Sequence, residues 1–144
     1  MKCRDIMTKY LKMCRPEGTI KDAVKIMDEL NCGAVPIVDE NNVLKGIVTD
    51  RDIALYTILN DKDPAKTNLK DFVRPNMVTC HPDDDIDIAI TKMKDNKVRR
   101  LPVVDENNRV VGIISLGDIA VTSGEEHETF EALENISFPI SGAK

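Results

Sequence analysis

The chain has no tryptophan, and only three phenylalanines and two tyrosines among its 144 residues. Its core must therefore be built from Ile, Val, Leu, Ala and Met. No apolar run approaches 18 residues, which excludes a helix that spans a membrane. The opening MKCRDIMTKY lacks the apolar stretch of a signal peptide, so the expected compartment is the cytoplasm. The four cysteines, Cys3, Cys14, Cys32 and Cys80, form no C-x-x-C pair. In a reducing compartment they read as ordinary buried thiols. A zinc site from Cys14, Cys80 and His81 does not have the spacing of a ligand knuckle. There is no Gly-rich phosphate loop, no activated nucleophile and no metal-ligand cluster, and His81 and His127 have no catalytic partner in sequence. No catalytic residue, metal or required cofactor is expected, and the chain is not expected to be an enzyme. Its formal charge of −5 disfavours non-specific binding to nucleic acid or membrane, both polyanions. One local basic pocket remains compatible with that charge.

What is present describes a globular protein. Hydrophobic residues are 42% and charged residues 31% of the chain. At this length roughly two-thirds of the unfolded surface can be buried, enough for a core without staples. The decisive feature is a repeat. VPIVDENNVLKGIVTDRDIA (35–54) lies above LPVVDENNRVVGIISLGDIA (101–120) at an offset of 66 residues. Across 5–54 and 71–120 the alignment needs no gap, and 17 of 50 positions are identical. The chain is a duplication.

Each copy reads as β-α-β-β-α. In TIKDAVKIMDEL (19–30), Ile20, Ala23, Val24, Met27 and Leu30 fall on one helical face. Ile86, Ala89, Ile90 and Met93 repeat the pattern, and Thr19 and Asp85 are placed as N-caps. AVPIVD and RLPVVD are apolar runs rich in β-branched residues, read as buried strands. DENN then turns each chain back into KGIVT or VGIIS, giving a hairpin. A second helix follows each hairpin, and LKMC and MVTC are read as short added strands. Pro36 and Pro102 stand inside strands, so each belongs to an edge or a gap in the ladder. The fold expected is α/β (α+β), two β-α-β-β-α repeats packed with pseudo-twofold symmetry, their sheets facing each other. Residues 1–60 form the first repeat, 61–70 a polar linker, 71–122 the second repeat and 123–144 a C-terminal helical tail. Phe130, Leu133 and Ile136 share one face of that tail, and Pro139 and Gly142 stop it.

The motif that can carry a ligand is G-h-h-[S/T]-x-x-D, with h apolar. It occurs as Gly46 to Asp52, with Thr49, and as Gly112 to Asp118, with Ser115. Each copy sits where a strand becomes a helix, and the unpaired first-turn amides favour an anion there. The hydroxyl can bond phosphate, and the carboxylate can accept from a ribose diol. The same residues can equally form a capping box.

The doubled pattern h-P-h-h-D-x-x-x-x-h-x-G-h-h-[S/T]-x-x-D resembles the signature of the CBS-domain family, named for cystathionine β-synthase. The resemblance covers residues 5 to about 122, and the opening RDIMT resembles that family's usual first segment. It implies a sensor of AMP, ADP, ATP or a related adenosyl compound, with no chemistry of its own. It also implies two clefts between paired repeats, with the hydroxyl on phosphate and the Asp on ribose. One cleft would use Ser115 and Asp118, with Thr8, Gly33 and Ala34 around the base and Arg99 or Arg100 on the phosphate. The other would use Thr49 and Asp52, with Val98 and Arg99 near the base.

A guanidinium is a natural bidentate partner for phosphate. Strand alternation would send only one of Arg99 and Arg100 to the cleft. Arg51 could also reach a phosphate, but Asp50 beside it repels one. Leu116 and Gly117 bring no such acid, which favours the Ser115/Asp118 site. An adenosine nucleotide is thus the expected regulatory ligand, acting by population shift. The family implies a homodimer, and a sensor implies an effector protein, which the sequence does not name. The alternative is an empty scaffold for dimerisation or protein contact.

Overall fold

The computed structural model describes residues 1–9, 12–122 and 126–137. Leu11, Pro139 and Gly142 lie outside them. The chain divides into two compact units, and the division does not follow the repeats in sequence. One unit joins Tyr10–Met77 to Asn107–Val110, and the other joins Met1–Lys9 to Val78–Glu106 and Val111–Lys144.

The unit built on the first repeat contains α2 (Ile20–Leu30), β1 (Ala34–Val38), β2 (Leu44–Thr49) and α3 (Asp50–Leu59). Thr19 caps α2. Its side chain accepts from the Asp22 amide while the Asp22 carboxylate accepts from the Thr19 amide, a capping box. Ile20, Ala23 and Met27 are buried, whereas Val24 and Leu30 of the expected apolar face are exposed. The stripe facing the sheet is therefore narrower than the sequence pattern. β1 and β2 pair antiparallel, Ala34 opposite Thr49 and Pro36 opposite Ile47. In the DENN turn the Asp39 carboxylate accepts from the Asn41 and Val43 amides, and Asn42 is left-handed at φ 65°. The expected added strand is a single parallel bridge, Cys14 to Ile37. The Cys14 amide donates to the Pro36 carbonyl, so that carbonyl is not free beside the proline.

The other unit contains α1 (Cys3–Ile6), α4 (Ile86–Asn96), β3 (Arg100–Val104), β4 (Val110–Ser115), α5 (Leu116–Thr122) and α6 (Glu126–Ser137). Ile86, Ala89, Ile90 and Met93 of α4 are buried as their spacing predicts. Asp85 stands at the N-cap, but its side chain makes no cap bond and pairs with Lys2 at 2.9 Å instead. Cys80 repeats the bridge of Cys14: its amide donates to the Pro102 carbonyl at 3.1 Å.

The lead-in segments explain the division. Residues 1–8 run along the second repeat, and residues 67–74 make corresponding contacts on the first. The Ile86 amide donates to the Met1 carbonyl, and the Ile20 amide to the Thr67 carbonyl. The Cys3 amide donates to Asp84, and the Leu69 amide to Gly18. Thr8 bridges Ile113, and Val73 bridges Gly46. First-turn amides of α2 and α4, which have no partner inside their helices, are thus satisfied by the lead-ins. The linker is part of this work: Thr67 and Pro64 accept from α2, and Leu69 is fully buried. Tyr56 of α3 packs edge-on against Phe72, ring centres 5.2 Å apart.

The motif glycines lie under these crossings. A Cβ on Gly46 would come within 2.4 Å of the Phe72 carbonyl oxygen, and one on Gly112 within 2.8 Å of the Thr8 carbonyl oxygen. Gly117 in α5 has only the Ser115 Oγ near, at 3.8 Å. Gly46→Ala is therefore expected to cost about 1–3 kcal/mol, as overpacking does. Gly117→Ala should be neutral or stabilising by up to about 1 kcal/mol. Urea unfolding of the two variants checks the contrast, and equal stabilities would refute it.

The thiols differ in environment. Cys3 and Cys80 are fully buried and hydrogen-bond each other, which draws Cys3 down and pushes Cys80 up from the ordinary thiol range. Burial pushes Cys14 up to about 11. Cys32 is half-buried and donates to the Ala34 carbonyl at 3.4 Å. Under native conditions near pH 8, iodoacetamide should label Cys32 first, read by peptide mass spectrometry. Labelling of Cys14 at the same rate would contradict the packing.

Candidate functional site

The sequence candidates divide between the units. Thr8, Val98, Arg99, Arg100, Ser115 and Asp118 belong to one, and Gly33, Ala34, Thr49, Arg51 and Asp52 to the other.

In the first group, β4 ends at Ser115 and α5 starts at Leu116. The Ser115 Oγ accepts from the Asp118 amide at 3.0 Å, and the Asp118 carboxylate accepts from the Ser115 amide at 3.3 Å. The capping reading of the motif is therefore physically present. It does not exhaust either side chain: the hydroxyl keeps its own hydrogen to donate, and the carboxylate keeps a second oxygen. The Leu116 amide donates to the Arg99 carbonyl at 2.8 Å, which ties the start of α5 to the residue before β3. Thr8 is exposed and lies across from Ile113, with its amide donating to the Ile113 carbonyl at 2.8 Å. Val98 packs against the core and is half-buried.

A cavity of about 340 Å³ opens at this turn. It is lined by Arg99, Arg100, Ser115, Leu116, Gly117, Ala120 and Leu133. Both arginines line it, not one of the two. Arg99 precedes the first residue of β3, so strand alternation does not separate it from Arg100. Arg99 is exposed and Arg100 half-buried. Among the described residues neither guanidinium has a carboxylate or hydrogen-bond partner. Two basic residues at the wall of one cavity favour an anion there. Leu116, Gly117, Ala120 and Leu133 were not singled out by sequence. The first three simply follow Ser115 along α5, but nothing in the sequence assigns Leu133 of the tail to this turn.

The second motif is capped differently. The Thr49 Oγ1 accepts from the Asp52 amide at 3.1 Å, but no reciprocal bond holds the Asp52 carboxylate. Asp50 and Arg51 take the places of Leu116 and Gly117. The Asp50 carboxylate accepts from the Arg51 amide at 2.8 Å, and its Oδ2 lies 3.1 Å from where a Gly33 Cβ would stand. The space left by Gly33 is thus taken by an acid of its own unit rather than left for a ring. Ala34 is buried at the start of β1. Among the described residues no group of three or more His, Cys, Asp or Glu could hold a metal, and Cys14 and Cys80 belong to different units. Among those residues no helix is long and apolar enough to cross a membrane.

The CBS domain family matches residues 3–58 and again 69–123. The chain belongs to the CBS domain family. It is 40% identical to the CBS domain-containing protein YhcV of Bacillus subtilis over 134 residues, 93% of this chain and 94% of that one. Its structure is similar to Hypoxic Response Protein I with two coordinated zinc ions, at TM-score 0.76 and 30% identity, covering 85% of this chain and 98% of that one. It is also similar to the CBS domain pair of protein MJ0100 in complex with 5′-methylthioadenosine and S-adenosyl-L-methionine, at TM-score 0.74 and 32% identity, covering 86% and 96%. The two CBS repeats of this chain carry its two copies of the motif.

If Ser115 caps α5, Ser115→Ala should cost about 0.5–2 kcal/mol in urea unfolding even without ligand. An unchanged midpoint would show that the hydroxyl holds nothing.

Proposed function

We propose that this chain is a regulatory sensor of adenosyl ligands, AMP, ADP, ATP or a related compound, without catalysis of its own. The observation that carries the proposal is a pair of arginines, without a side-chain partner among the described residues, that line one cavity with Ser115. The adenosyl ligands of the MJ0100 domain pair support the choice of ligand class. In this reading Arg99 and Arg100 hold the anionic end, the Ser115 hydroxyl donates to it, and Asp118 takes a ribose hydroxyl with its second oxygen. Thr8, beside β4, and Val98 belong to the same unit and are assigned to contact with the base. Thr49 and Asp52 form a second, weaker site, with Arg51 opposed by Asp50, and Asp50 beside Gly33 leaves no room there for a base. Ligand binding shifts the population toward the arrangement that binds it best. The sensor works in the cytoplasm as a homodimer and reports to an effector protein. Exposed Leu55, Ile58 and Leu59 on α3 offer apolar surface for that assembly.

The test is a thermal-shift screen with AMP, ADP, ATP, S-adenosylmethionine, 5′-methylthioadenosine and NAD, with GTP as control. A ligand at one hundred times its Kd should add about 2.7 kcal/mol. For a chain of this size that is a rise of about 5–10 °C. Arg99→Ala with Arg100→Ala should abolish the shift for phosphorylated ligands and leave the unliganded melting temperature nearly unchanged, because neither side chain is fully buried. No shift with any compound at millimolar concentration would favour the second reading, an empty scaffold for dimerisation or protein contact.

A further inference from the structure

The C-terminal helix α6 lies partly over the arginine cavity. Leu133 is one of its walls. The helix packs on α4 and α5. Ala132 is fully buried and Ile136 packs partly against the core. Among the described residues, two bonds tie the helix to α4 and to the residue just after α4. The Lys94 Nζ lies 3.5 Å from the Glu131 carboxylate, with both side chains partly exposed. The Lys97 Nζ donates to the Asn135 carbonyl at 2.9 Å, near the negative end of α6. The ion pair is partly exposed and contributes little by itself. Phe130, which shares one helical face with Leu133 and Ile136 in the sequence pattern, is 68% exposed.

We propose that α6 is the reporting element of the sensor: docking of α6 and occupancy of the arginine cavity are coupled through Leu133. This rests on the reading of the cavity as the ligand site. A ligand held by Arg99, Arg100 and Ser115 meets Leu133 only while α6 is docked. The ligand therefore binds the docked state more tightly, and linkage requires that it strengthen docking by the same factor. The readout is a helix that is loose without ligand and held with it, on the side of the unit where Phe130 is displayed.

The experiment uses the full chain and follows backbone hydrogen exchange over 126–137, with and without a saturating adenosyl ligand, and separately with inorganic pyrophosphate as an anion lacking a nucleoside. Ligand should slow exchange in α6 at least about five-fold, the lower end of ordinary coupling. Leu133→Ala should remove most of that protection and weaken binding. Lys94→Gln with Lys97→Gln, which touches no cavity residue, should speed α6 exchange without ligand and weaken binding in proportion. Adenosyl binding with α6 exchange unchanged would overturn the coupling and leave the sensor reading intact. Protection by pyrophosphate alone would support the coupling and overturn the adenosyl reading. Binding of neither would overturn both.

Discussion

The structure depends on a crossing. Each motif glycine lies under the backbone of a lead-in segment, Gly46 under Phe72 and Gly112 under Thr8, at distances that admit no Cβ. The lead-in before the first repeat lies on the second, and the lead-in before the second lies on the first. Neither repeat is complete with only its own residues. The lead-ins pair with strand edges that would otherwise be open, and they supply acceptors to the first turns of α2 and α4. They also bring buried side chains into each core, Cys3 and Ile6 in one unit, Leu69 and Phe72 in the other. The glycine of G-h-h-[S/T]-x-x-D is thus a packing requirement, while its hydroxyl and carboxylate lie at the opposite end of the motif.

That separation bears on whether the motif is a cap or a site. In the second repeat Ser115 and Asp118 cap α5 in full. Capping orients both groups without using up either, since a hydroxyl and a carboxylate have more bonding capacity than one cap consumes. A capped pair is a positioned pair, with less rotamer freedom left to lose when a ligand arrives. The difference between the repeats lies in the two residues inside the motif. Asp50 places a negative charge at the first helical turn and against Gly33; Leu116 places a buried side chain in the core instead. With that acid absent, the charged residues that line the cavity are Arg99 and Arg100.

Much of this was legible in sequence because duplication writes each constraint twice. The 66-residue offset located both helix-hairpin-helix units, the DENN turns and the capped motifs. The helix and strand patterns named most of the core. What sequence did not show were contacts between segments distant along the chain. Nothing in RDIMT says that Thr8 lies beside Ile113 rather than near its own repeat. The periodicity of α2 includes Val24 and Leu30, but the surface facing them decides that they stay exposed. Asp85 has the chemistry of a cap, yet Lys2, which arrives with the lead-in, takes its carboxylate. Arg99 and Arg100 looked mutually exclusive only while both were assumed to lie within a strand.

The tail shows the same limit in its sharpest form. Phe130, Leu133 and Ile136 satisfy a helical stripe, and such a stripe predicts a buried face. Among the described side chains of α6, Ala132 is buried, Ile136 one turn on packs partly against the core, and the larger Phe130 is exposed. A small residue at the contact lets α6 approach α4 closely while contributing little apolar area of its own. Leu133 is the side chain by which α6 meets the arginine cavity, so a ligand that touches it is linked to how α6 sits on its unit.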